Sequence, residues 1–234
     1  MAPQPKPRKR APHQLPPGRH KLARSYVEAN QRERILDAIA DVASLAGYAA
    51  MSVEDIIGTA GVSRRTFYDN FRSKEEAFLA ALDVVGAQLF DQVRSANEAN
   101  PDFAGGVRDS LAAFLRFLGD DLRYADMLIV EVLAAGPAAI QRRNAIMNKF
   151  AEMLRASAER VPDGRRPPQL TAEAVVGGIY EVVYSRVLQG RGSELLALLP
   201  DLAYSMMQPY IGHEAAAREA AKTAPLSATT ATAT

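Results

Sequence analysis

The sequence contains no cysteine among its 234 residues, which excludes disulfides, thiolate metal sites and cysteine nucleophiles together. No apolar run approaches the roughly 18 residues that would span a bilayer. The basic N-terminus has no apolar segment behind its charges, so neither a membrane helix nor a secretory signal is expected. Histidine is scarce: His13 and His20 lie in a proline-rich N-terminal stretch, and His213 stands alone near the other end. No metal-ligand spacing, catalytic triad or phosphate-binding glycine loop appears, so the chain is not expected to be an enzyme or to hold a metal or cofactor. Alternating runs of strand type are missing as well, and no repeat period is visible. What remains is a cytoplasmic, all-helical protein that acts by binding.

The residues that are present fit that reading. Hydrophobic residues make up 48% and charged residues 24% of the chain, ordinary proportions for a globular protein, and the length suffices for two modest helical units. The net charge of +1 conceals an asymmetry. Residues 1–24 hold Lys6, Arg8, Lys9, Arg10, Arg19, Lys21 and Arg24 and no acid, which leaves 21 basic against 27 acidic residues, a net −6, in the remainder. Six prolines share that segment. Charge and proline without large apolar residues cannot offset the entropy of ordering, so a disordered basic arm is expected over 1–24. Such an arm is attracted to polyphosphate by counterion release; the alternative is a solubilising tail. The Ala/Thr-rich end is expected to be a second disordered tail, assigned to 214–234.

Between the two ends the pattern is helical. A first helix is expected from about Val27 to Ala46, where Ile35, Leu36, Ile39, Val42, Ala43 and Ala46 form one apolar stripe; Gly47 stands where a left-handed residue would end it. Ser52 followed by Asp55 reads as a capping box, Gly61 as a break, Ser63 as the next cap, and Ser73 with Glu76 as a second capping box. Three caps in about twenty residues demand short, sharply turned helices, the requirement of a helix-turn-helix at about 52–71. Phe67 and Phe71, four apart, must face inward, which leaves Arg64, Arg65, Tyr68 and Asn70 outside. Arginine suits the paired acceptors of guanine, asparagine suits adenine, and tyrosine or threonine can meet a phosphate or a thymine methyl. Further helices are expected at about 103–119, 121–135, 137–160, 171–189 and 194–210, the last either started or kinked by Pro200.

The run Arg34-Ile35-Leu36-Asp37-Ala38, Gly47, Ser52-Val53-Glu54-Asp55-Ile56, Ala60-Gly61-Val62-Ser63, Thr66-Phe67-Tyr68, Phe71 and Ser73-Lys74-Glu75 resembles the TetR family of bacterial regulators over residues 32 to 82. The resemblance implies an N-terminal three-helix helix-turn-helix domain (25–73) and a larger C-terminal helical domain (74–213) for dimerisation and effector binding. It implies a homodimer on double-stranded DNA with a palindromic operator, in the bacterial cytoplasm and associated with the nucleoid. Carried over by position, Ser52, Ser63, Arg64, Arg65, Thr66, Tyr68, Asn70 and Lys74 are the DNA-binding candidates, with Arg64 or Arg65 as base reader and Ser52, Thr66, Tyr68 and Lys74 at phosphates. Lys21 and Arg24 of the arm are candidates for an adjacent minor groove.

The C-terminal domain carries less signal. The segment 171–189 is apolar all round, so it needs cover on every side. With the segment that follows it, it is the candidate dimer interface: Val176, Gly177, Val183, Leu195, Leu202 and Met206. Candidate pocket residues, on helices that surround the effector cavity in the family, are Phe114, Phe117, Tyr124, Met127, Leu128, Phe150, Met153, Tyr180 and Tyr184. Aromatics and methionines at helical spacing also serve simply as core. Glu131, set among apolar residues, needs a partner: a neighbouring helix, Arg186, or a cationic or hydroxylated ligand. The expected function is a repressor released by a small hydrophobic effector; the alternative is a DNA-binding or architectural dimer without one.

Overall fold

The computed structural model describes residues 24–161 and 167–223, so the expected arm, including Lys21, and the chain end after Thr223 lie outside the described residues. Among the described residues every regular element is helical: α1 (Arg24–Ala50), α2 (Val53–Ala60), α3 (Arg64–Asn70), α4 (Lys74–Glu98), α5 (Phe103–Asp120), α6 (Leu122–Ala125), α7 (Val132–Ala134), α8 (Pro137–Ala158), α9 (Thr171–Leu188), α10 (Leu199–Ile211) and α11 (His213–Ala221). A π-helical turn, Asp126–Glu131, joins α6 to α7, and a 3-10 stretch, Gly192–Leu198, leads into α10.

The chain divides into two compact units between Ala81 and Leu82, inside α4, not at the expected 73/74 boundary. The reason is visible in the first turns of α4, where Ala77, Phe78 and Ala81 are fully buried and Phe78 meets Tyr48 edge-on at 4.8 Å between ring centres. A helix-turn-helix this small lacks apolar cover of its own, and those turns supply it. Ile35, Ile39, Ile56 and Phe67, all fully buried, are the largest other side chains of this core. Each such side chain contributes about 1.5–3 kcal/mol.

The turns follow the local chemistry of the sequence. Gly47 adopts φ 76° and ψ 156° and interrupts α1, a conformation that side-chain-bearing residues rarely adopt. Ser52 accepts from Asp55 N–H while its own N–H donates to the Asp55 carboxylate, a complete capping box. Gly61 closes α2 in the left-handed region, and Ser63 caps α3 by accepting from Thr66 N–H at 3.0 Å. The expected second box is only half made. Ser73 Oγ accepts from Glu76 N–H, but the Glu76 carboxylate reaches one residue further back, to Arg72 N–H at 2.7 Å and its guanidinium.

In the second unit α8 packs on α9, and α5 on α10 and the 3-10 stretch. Pro200 lies in the first turn of α10, where its missing N–H costs nothing. Gly86 on α4 lets α8 come close: a Cβ there would lie 2.5 Å from Ile146 Cδ1. At the other end of this pair a buried polar cluster fastens α4 to α8. Ser157 Oγ donates to Asn97 Oδ1 at 2.9 Å, and Arg160 donates to Asn97 Oδ1 at 2.6 Å and to Asn100 O at 2.7 Å. The tail expected from 214 is instead helical as far as Ala221: α11 buries Ala216 and Ala220 against its neighbours, and Glu219 pairs with Arg108 at 3.4 Å. Alanines four apart form a stripe too weakly hydrophobic to stand out in sequence, yet small enough for close helix approach.

Candidate nucleic-acid interface and ligand cavity

Helix α3 is held from behind by cations of α1. Arg34 donates to the carbonyls of Ala60 and Gly61, closing the end of α2, and burial holds its guanidinium pKa below the ordinary value. Arg32 lies 4.4 Å over the ring of Phe71, the residue that ends α3. Arg32 did not stand out in sequence beyond its charge, and Arg34 did so only as part of the run that carries the family resemblance. With Phe67 fully buried, rotation of α3 about its axis is blocked, so its outer face has a defined direction.

On that face the candidates separate. Arg65 is 90% exposed, with only an Asp69 carboxylate at 3.8 Å, and Tyr68 is 47% exposed. Arg64 is committed to an ion pair with Glu54 of α2, with its guanidinium 5.8 Å from the Tyr68 ring. Between the two arginines left open by the sequence, the freer one is Arg65. Ser63 and Thr66 engage each other at 2.9 Å. Asn70 turns back along its own helix, its amide donating to Thr66 O at 2.8 Å.

Two phosphate candidates are engaged elsewhere. Ser52 donates its hydroxyl (2.6 Å) and its N–H (3.0 Å) to Asp55, so both donors expected for a phosphate are spent on a carboxylate. Those bonds, the Ser52 hydroxyl foremost, hold the Asp55 pKa below its usual range. Lys74 donates to the carbonyls of Tyr48 (3.0 Å) and Met51 (2.8 Å) and lies 4.5 Å over the Tyr48 ring. It thus ties the start of α4 to the end of α1. Arg24 opens α1 through its backbone; its side chain, like Lys21, lies outside the described residues.

The second unit encloses a cavity of about 90 Å³ between α4, α5, the π-turn, α8, α9 and α10. Of the candidate pocket residues, Phe114, Leu128, Phe150, Met153 and Tyr180 line it. Phe117, Tyr124, Met127, Glu131 and Tyr184 do not. Phe117 and Tyr124 stack on each other at 5.7 Å, Met127 is fully buried core, and Tyr184 stacks beside Tyr180 at 6.4 Å. Glu131 is half-buried at the end of the π-turn, off the cavity wall. For Glu131 that turn supplies the reason: its i→i+5 step shifts the register of the side chains at its end relative to an α-helix. The Ile129 carbonyl within it accepts from Tyr180 Oη at 2.7 Å. Burial raises the Tyr180 pKa, partly opposed by Arg143. Arg143 also lines the cavity and was not among the expected residues; a lone arginine on a polar helix carries no signal in sequence.

The expected dimer face needs correction at the residue level. Val183 and Leu195 are fully buried within the single chain, and Val176, Leu202 and Met206 nearly so; Val176 and Met206 face the cavity. The chain's own fold covers these residues. What α9 leaves open is Glu173, Ala174, Gly178, Glu181, Val182 and Leu188, with Gly177 half-open beside them. A Cβ added to Gly177 or Gly178 would meet nothing within 4 Å.

Residues 35–81 match the family model described as "Bacterial regulatory proteins, tetR family". Among solved structures, the fatty acid degradation regulator FadR of Bacillus halodurans is similar at TM-score 0.68 and 21% identity, covering 76% of this chain and 94% of that one. FadR of Bacillus subtilis, solved in complex with stearoyl-CoA, is similar at TM-score 0.67 and 18% identity over 76% and 98%. A TetR-like transcriptional regulator from Rhodococcus sp. RHA1 is 25% identical at TM-score 0.61 over 80% and 97%.

Proposed function

From the premise that this chain is a TetR-family transcriptional regulator, we propose that it is a ligand-responsive repressor. In this reading a homodimer occupies a palindromic operator and a small hydrophobic effector releases it. The observation that carries the proposal is the pairing of two features in one chain. A locked α3 displays Arg65 and Tyr68 to the outside, and the other unit holds an apolar cavity that a purely architectural protein does not need. Arg65 reads a guanine edge, Tyr68 meets a phosphate, and Arg64 is held to Glu54 until DNA competes for it.

The dimer face is the open side of α9. Glycines inside a helix cost about 1 kcal/mol each relative to alanine, and nothing among the described residues explains Gly177 and Gly178. A second α9 crossing there does, because it needs the close approach. Symmetry then spaces two α3 helices about one DNA turn apart. An effector acts only through different affinity for the DNA-competent and DNA-incompetent arrangements. The B. subtilis FadR complex makes fatty acyl compounds the first effector class to test.

Selection of bound DNA from a random pool tests the operator: an inverted repeat is expected, and an asymmetric site would count against the dimer. A thermal-shift screen with hydrophobic molecules tests the effector, since a ligand of the native state must raise Tm. An empty screen would leave the effector-free regulator as the better reading.

A further inference from the structure

The cavity holds one charged side chain among the described residues that line it, Arg143, and two hydroxyls, Ser110 and Tyr180. Both hydroxyls are already donating within the protein, Ser110 to Val107 O at 3.0 Å and Tyr180 to Ile129 O at 2.7 Å. Arg143 hydrogen-bonds Tyr180 and Asn144 but has no carboxylate partner among the described residues. Its Nη1 donates to Asn144 Oδ1 at 2.9 Å, while its Nε is buried without a hydrogen-bond acceptor. Arg34 and Arg155 share such an Nε, but Arg142 and Arg155 each hold a carboxylate, Asp83 at 3.0 Å and Glu173 at 3.4 Å, and Arg143 holds none among the described residues. The guanidinium lies 3.9 Å over the Tyr180 ring, and Tyr180 is itself fixed by its bond to the π-turn. A buried cationic donor with no acceptor is costly unless something supplies one. Stacking on an anchored ring keeps the group in place.

Building on the effector reading above, we propose that the effector is an apolar molecule ending in a carboxylate, whose oxygens pair with the guanidinium of Arg143, the one charged side chain among the described residues that line the cavity. The two oxygens of a carboxylate match the fork of a guanidinium, and a charge-assisted pair is strongest where water is excluded. The hydrocarbon part packs on Leu89, Phe114, Ile146, Phe150 and Met153. A cationic ligand is disfavoured, because no carboxylate lines the cavity among the described residues and Glu131 sits off its wall.

Calorimetric titration of the full-length protein with decanoate, 1-decanol and decanoyl-CoA separates the possibilities. Decanoate is expected to bind roughly ten- to a hundredfold tighter than decanol, the range of one charge-assisted hydrogen-bonded pair. Arg143→Gln should abolish that preference, with the acid losing far more affinity than the alcohol. Arg143→Lys, which keeps the charge but loses the fork, should retain part of it and serves as the deciding variant if Arg143→Gln does not fold. Equal binding of acid and alcohol, or a preference that survives Arg143→Gln, would overturn the carboxylate assignment while leaving an apolar effector intact. Decanoyl-CoA binding tighter than decanoate and indifferent to Arg143 would place the anion outside the cavity and equally overturn it. Binding by none of the three would remove this inference and the fatty acyl effector class together.

Discussion

Lys74 separates two physical roles that its sequence position does not distinguish. As a phosphate contact it affects DNA affinity alone; as a tie between α4 and the end of α1 it affects the stability of the N-terminal unit. Its ammonium donates to Tyr48 O at 3.0 Å and Met51 O at 2.8 Å and lies 4.5 Å over the Tyr48 ring. Hydrogen bonds to charged groups contribute about 1.5–3 kcal/mol each when buried. Lys74 is half-exposed, so screening reduces this to about 1 kcal/mol apiece. Lys74→Met keeps most of the aliphatic stem and removes the charge, so a loss of about 2 kcal/mol is expected, or roughly thirtyfold in the opening equilibrium. Amide hydrogen exchange read on peptides from α1, α2 and α3 measures that equilibrium within the unit itself. About thirtyfold faster exchange there, with the second unit unchanged, is the expected result. Unaltered exchange, with weaker DNA binding and a salt slope smaller by about one, would refute the reasoning and restore Lys74 to the phosphates.

Arg65→Ala should reduce discrimination between operator variants at one base pair by about 1–3 kcal/mol without lowering Tm, measured by fluorescence anisotropy; an equal loss on all sequences would make Arg65 a phosphate contact instead. Asp55, whose folded pKa is depressed by its bonds from Ser52, adds stability that is fully present above the ordinary carboxylate value and lost as pH falls through the folded one. Asp55→Asn should therefore be less stable than the parent at pH 7, with the gap closing between about pH 5 and pH 3 in denaturant titrations; a constant gap would contradict the box. Gly178→Leu points into open space in the single chain, so it should fold normally yet sediment as a monomer; a dimer of unchanged affinity would move the interface away from α9.

Much of the N-terminal unit was legible because its determinants are local. A cap, a positive-φ glycine or an i, i+4 aromatic pair acts within about one helical turn, so Ser52, Gly61, Ser63 and the Phe67/Phe71 pair could be placed from spacing alone. The helical class and most helix limits follow from periodicity in the same way. Partnerships across elements could not be placed. Lys74 reaches carbonyls 23 and 26 residues away, Arg34 caps a helix 26 residues on, and Ser52 is preoccupied by Asp55. These contacts decide which outward residues remain free, and they leave Arg65 in place of Arg64. In the second unit an apolar residue reads the same in sequence whether it faces core, cavity or partner. Only packing assigned Val183 and Leu195 to the interior, left Gly178 and Leu188 outside, and set Arg143 in an otherwise apolar cavity. Sequence by itself determined the helices and the turns between them, because backbone preference and capping are short-range. The tertiary structure alone decided which charges stay unspent, because that depends on groups brought together from far along the chain.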